Sequence, residues 1–262
     1  MKDASNPVSS ISTEPRRNIN QIISTLEQIV LDSKNNQSSL SYFTALYLKV
    51  TKKVKEGIDD NFFDDGPRME ELDVVFANRY LDAYFAYKRN ETITESWQKA
   101  FELSNNYWPI TLQHLLIGMN AHINLDLGIA AAHVMKGKNI DDLEDDFNKI
   151  NTVLFSLVAE VEKDLGDIWP SLKTILKLTS ELDDFMVKFC MKTARNGAWK
   201  FAKRIANEPP EVLKELIEKR DQKAAKKAKI ITRPGIVAST IFGIIRLGER
   251  GSVTEKIEKL TS

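Results

Sequence analysis

His114, His122, His133 and Asp126 fall within one stretch, LQHLLIGMNAHINLDLGIAAAH, and the 262-residue chain has no histidine elsewhere. Residues four apart on a helix lie one above the other, so His122 and Asp126 share a face and can converge. Such a pair supports two kinds of chemistry. It offers an imidazole and a carboxylate to one divalent metal ion that would activate water. Alternatively His122 is a general base whose tautomer Asp126 fixes. A metal would need one or two further ligands from other helices. His133 returns to the same face about 16 Å further along the axis, too far to share the ion unless the helix ends at Gly128. His114 lies two turns before His122 and about 80° around, placed to line the same cavity.

Asn120 and Asn124 occupy a different side of this helix, and its other neighbours are almost all apolar. A helix so apolar is expected to be buried on every side. Its polar groups then need partners, at about 1–3 kcal/mol for each one orphaned. Two readings follow. Either His114, Asn120 and Asn124 line a site around His122 and Asp126, or the set is a polar network pinning helices together, with Asp126 accepting from an Arg or Tyr. Arg79 and Tyr80, on the MEELDVVFANRYLDAYFAYK helix, are the expected partners or substrate contacts. An inward Arg79 would neutralise Asp126 or hold an anionic group, and Asp73 is placed to point inward beside Tyr80. Trp97 and the other aromatic residues between Tyr80 and Trp108 would suit a largely apolar small molecule with one polar handle. Asp146 and Asn151 are further inward candidates, and Arg195 and Trp199, four apart, share one face, either as an Arg lying over an aromatic wall or as ordinary packing. Arg220-Asp221 reads as a surface pair.

The elements that must position these residues all read as helices. Apolar residues recur at helical spacing from Arg17 onward, and no strand-like alternation of useful length occurs. Breaks fall at DDNFFDDGP, near Thr92 to Thr94, at Pro109, Pro170, Pro209-Pro210 and Arg233-Pro234-Gly235. The expected architecture is all-α: a flexible tail over 1–16, then one domain over 17–262, a bundle of eight to ten helices with the histidine helix central. The late segment GIVASTIFGII is expected to dock as a helix.

Lys+Arg and Asp+Glu both number 37, so the formal charge is zero and a general nucleic-acid binder is not expected. A single cysteine, Cys190, excludes an internal disulfide framework and a cysteine-only metal cluster. The polar start of the chain lacks a signal-type apolar stretch, and no run reaches the roughly 20 apolar residues of a membrane span. A cytoplasmic protein with no membrane span is the expectation. No Gly-x-Ser-x-Gly, phosphate loop, Cys-x-x-Cys, dinucleotide fingerprint or paired Glu-x-x-His is present.

The segments MEELDVVFANRYLDAYFAY, SWQKAF, LQHLLIGMNAHINLDLGIAAA and DDFNKINTVL, in that order, resemble a family of bacterial and fungal proteins of unknown function, over about Met69 to Pro234. The resemblance implies that Arg79, Tyr80, Trp97, His114, Asn120, His122, Asn124 and Asp126 belong to the family pattern. It implies no activity. AHINLDLGIAAAH is also similar to the His-x-x-x-Asp…His helix of the all-α, zinc-dependent phospholipase C and nuclease fold. Those enzymes carry further histidines on other helices, which this chain lacks, so a three-zinc site is excluded. The expected function is a small-molecule enzyme centred on His122 and Asp126. The alternative is a non-catalytic binding protein for an apolar ligand.

Overall fold

The computed structural model describes residues 18–168, 191–233 and 235–261. The expected tail, the helix at Pro170 and Cys190 lie outside these residues. Among the described residues the chain is a single-domain all-α bundle of ten helices, with no strand. They are α1 (Ile19–Asn35), α2 (Tyr42–Asp59), α3 (Gly66–Lys88), α4 (Glu95–Glu102), α5 (Thr111–Val134), α6 (Glu144–Ile168), α7 (Met191–Ile205), α8 (Pro210–Thr232), α9 (Ile236–Gly248) and α10 (Val253–Thr261).

Local chemistry explains the helix starts. Asn18 and Gln21 form a reciprocal capping box on α1, with both bonds at 2.9 Å. Asp65 accepts from the Arg68 N–H at the start of α3, where Pro67 stands in the first turn. The α4 start is capped from another helix. The Thr94 hydroxyl makes no cap bond. Instead Asp221 of α8 accepts from the Glu95 and Ser96 N–H groups at 2.7 and 2.9 Å. Asp221 is therefore a tertiary helix cap, not half of a surface pair, and its charge suits the positive helix end.

The histidine helix α5 is packed by α2, α3, α4, α7 and α8. Contrary to the expectation that no run is apolar enough for a membrane span, α5 could cross a membrane by length and composition. However, 89% of its most apolar window is buried inside the bundle. Two glycines permit the tight packing. A Cβ on Gly118 would stand 2.4 Å from the Phe43 ring, and one on Gly128 would stand 2.8 Å from the Ala198 carbonyl of α7. The late apolar segment forms α9 and docks through Ala238, Phe242 and Ile245.

Candidate functional site

His122 to Asp126 is not α-helical. The Leu127 N–H bonds to the His122 carbonyl, five residues back, so this one turn of α5 is a π-turn. The inserted residue shifts the His122/Asp126 pair from the straight stacking expected of an α-helix. His122 Nδ1 stands 3.5 Å from Asp126 Oδ2, which is too long for a good hydrogen bond. Both ring nitrogens of His122 are buried and lack a hydrogen-bond partner among the described residues. The imidazole lies flat on Phe76 with centroids 3.5 Å apart, and the Tyr47 ring meets it edge-on at 4.5 Å. Burial lowers its pKa more than Asp126 raises it, so the neutral ring is favoured.

Asp126 is fully buried and its two oxygens are already engaged. Arg79 Nε donates to Oδ1 and Trp97 Nε1 donates to Oδ2, each at 2.8 Å. Burial alone would raise its pKa. Arg79, His122 and Trp97 outweigh burial and hold the carboxyl below its usual range. This arrangement does not fit a metal ion. The carboxylate has a guanidinium beside it, and among the described residues no group of three or more His, Cys, Asp or Glu is placed to hold a metal ion.

The other expected site residues are spread over several places. Asn120 Nδ2 donates to the Ala224 carbonyl of α8 at 2.9 Å, and Asn124 Nδ2 donates to Asn120 Oδ1 at 3.2 Å. Lys227 and Arg220 of α8 donate to Asn124 Oδ1 and to its carbonyl. These two asparagines thus tie α5 to α8. Tyr80 shares a hydrogen bond with Thr44 and packs against Phe43, Tyr47 and Trp97. His114 meets Tyr42 edge-on and lines a separate recess of about 10 Å³ with Trp97 and Gly118. Burial, with Arg246 and Lys256 nearby, pushes its pKa down to about 3. His133 is half-buried in the last turn of α5. The histidines therefore form no single cluster. Asp146 accepts from the Asp64 and Asp65 N–H groups and from Arg68, fixing the loop before α3.

His122 opens onto a space that His114, Asn120, Asn124, Asp126 and Tyr80 do not line. A cavity of about 250 Å³ lies between α2, α3, α5, α6 and α7, and its wall is overwhelmingly apolar: Leu46, Leu72, Leu115, Leu116, Met119 and Leu127 are typical. His122, Tyr47, Asp73 and Arg195 are the polar exceptions. Like His122, the Tyr47 hydroxyl and Asp73 Oδ2 are buried without a hydrogen-bond partner among the described residues. Burial, with Glu70 adding to it, pushes the Asp73 pKa up to about 7. Burial likewise keeps Tyr47 protonated, with Asp73 adding to the effect. Asp73 was legible from the spacing of α3. Tyr47 was not singled out, although it follows Phe43 by one helical turn on an apolar face.

A helical bundle whose helices line an apolar cavity with a few polar groups on its wall is the class that fold and site define. Residues 19–234 match the model of a family of unknown function, DUF5995. The match spans most of the chain, and the protein belongs to that family. It begins about fifty residues earlier than the segments that carried the resemblance. No curated protein and no solved structure matches the chain.

Proposed function

We propose that the protein binds a small, largely apolar molecule in this cavity, with polar side chains of its wall, among them His122, Tyr47, Asp73 and Arg195, available to meet a polar group on it. The observation that carries the reading is that three residues of one apolar wall carry buried polar atoms with no hydrogen-bond partner among the described residues. Leaving a buried polar atom unpaired costs about 1–3 kcal/mol, and native structures rarely keep several such atoms together without use. The volume is also apt. An apolar cavity of roughly 150 Å³ suffices for benzene, so about 250 Å³ admits a somewhat larger molecule. The neutral character of His122 suits it to donate at one nitrogen and accept at the other.

The test is titration with a neutral fluorescent naphthylamine probe. Wild type should bind it saturably at one site. Leu116→Trp and, separately, Ile123→Trp should fill the cavity and abolish binding while the helical circular dichroism persists. Absence of saturable binding by wild type would end the proposal.

A second reading is favoured by Asp73, whose pKa near 7 places a proton carrier on the same wall as a neutral imidazole. In that reading His122 acts as a general base in proton transfer or hydrolysis. It predicts turnover of an activated apolar ester such as nitrophenyl octanoate that His122→Phe abolishes.

A further inference from the structure

Arg195 of α7 lines this cavity, and among the described residues its side chain has no charged partner. It is 4% exposed. Nε donates to Asn151 Oδ1 at 2.9 Å, Nη2 donates to the Phe147 carbonyl at 2.6 Å, and the guanidinium lies 4.5 Å from the centroid of the Phe147 ring. Both acceptors are neutral. The contrast with other arginines in the fold is direct: Arg68 pairs with Asp146 at 3.1 Å, Arg79 with Asp126 at 2.8 Å and Arg246 with Glu249 at 3.2 Å.

A buried cation without a counter-ion is costly. Burial pushes the Arg195 pKa down only to about 10, so the charge persists at neutral pH. Of its five N–H groups, two are used by Asn151 and Phe147, which leaves three. The ring of Phe147 and the two acceptors hold the fork in one plane, so its remaining donors are already oriented.

The other ionisable groups on the wall do not neutralise it. His122 is favoured as the neutral ring and Tyr47 as the phenol. Burial, with Glu70 adding to it, raises Asp73 to about 7, so it is only partly ionised at neutral pH. The wall is thus apolar over most of its area and positive at one place.

We infer that the cavity's ligand is an apolar carboxylic acid, whose carboxylate pairs with Arg195 while its hydrocarbon body lies against Leu115, Leu116 and Met119. A planar guanidinium fork matches a carboxylate with two parallel bonds. This inference rests on the proposed function, since it names the class of molecule that the same cavity takes.

Octanoate, octanol and octylamine share one chain and differ only in the head group. Each is used to displace the neutral naphthylamine probe from wild-type protein. Octanoate should bind about tenfold more tightly than octanol, the scale of one charge-assisted pair, and octylamine should be the weakest. Arg195→Gln should still bind the probe and octanol, while octanoate falls to within about twofold of octanol. Arg195→Lys should recover part of the preference. Equal affinities for the three heads in wild type, or an octanoate preference that survives Arg195→Gln, would overturn the inference. The wild-type comparison decides even if a variant does not fold. Failure of the probe and of all three ligands to bind wild type would instead refute the proposed function itself.

Discussion

Arg79 Nε donates to Asp126 Oδ1 at 2.8 Å, and this bond removes Asp126 from the chemistry its spacing suggests. With Trp97 on the other oxygen, the carboxylate is a structural anchor joining α3, α4 and α5. Breaking a buried pair strands a charge, so Asp126→Ala should cost about 3–5 kcal/mol in urea unfolding. Trp97→Phe, which removes one donor, should cost about 1–3 kcal/mol. The two losses should be far from additive in a double variant, because they act on one carboxylate.

His122 should behave oppositely. Its nitrogens have no partner among the described residues, whereas its ring is stacked on Phe76. His122→Phe keeps the ring and removes the unpaired polar atoms. The melting temperature should hold or rise, while affinity for a ligand with a polar head falls. A clear drop in melting temperature would mean that the nitrogens serve the fold.

Asn120 serves α8. Asn120→Ala removes the bond to the Ala224 carbonyl and a partner of Asn124. It should cost about 1–3 kcal/mol and speed amide exchange in α8 ahead of the other helices. Probe binding in the cavity should not change.

Stability should depend on pH through Asp73 and His114 in opposite senses. The Asp73 pKa rises from 3.8 unfolded to about 7 folded, so the native state binds more protons between those values. Its contribution is full below pH 3.8 and is lost as pH rises toward 7, by about 4 kcal/mol at most (three units at ~1.4 kcal/mol each). The His114 pKa falls from 6.5 to about 3, so its contribution is full above pH 6.5 and is lost as pH falls. Asp73→Asn should therefore gain on wild type as pH rises from 4 to 7. His114→Gln should lose stability less steeply than wild type as pH falls below 6.5. Urea midpoints across pH 4 to 8 check both.

Gly118 tests the packing of α5 on α2. A methyl there would overlap the Phe43 ring at 2.4 Å. Gly118→Ala should destabilise by about 1–3 kcal/mol despite its better helix propensity.

The helices were legible because helical periodicity and the Pro, Gly and Asn punctuation are local properties of the chain. The burial of α5 was legible for the same reason, since a stretch with no solvated face has nowhere to go but inside. Those features also gave the inward placement of Asp73 and the possibility that Arg79 neutralises Asp126.

Which polar group meets which was not legible. Asn124 and His122 have similar prospects in the sequence, yet one is tied to Lys227 and the other faces a cavity. That difference arises from the π-turn at His122 to Asp126 and from the packing of α8, both of which depend on contacts between distant segments. Arg195 already stood out beside Trp199 in the sequence, whereas Tyr47 becomes a site candidate only because α2, α6 and α7 line one space. Local periodicity and composition suffice to specify an all-helical bundle with a buried polar helix. Which of the buried groups satisfy one another, and which are left on the cavity wall, depends on the packing of distant segments, because hydrogen-bond partners are chosen in three dimensions and not by spacing along the chain.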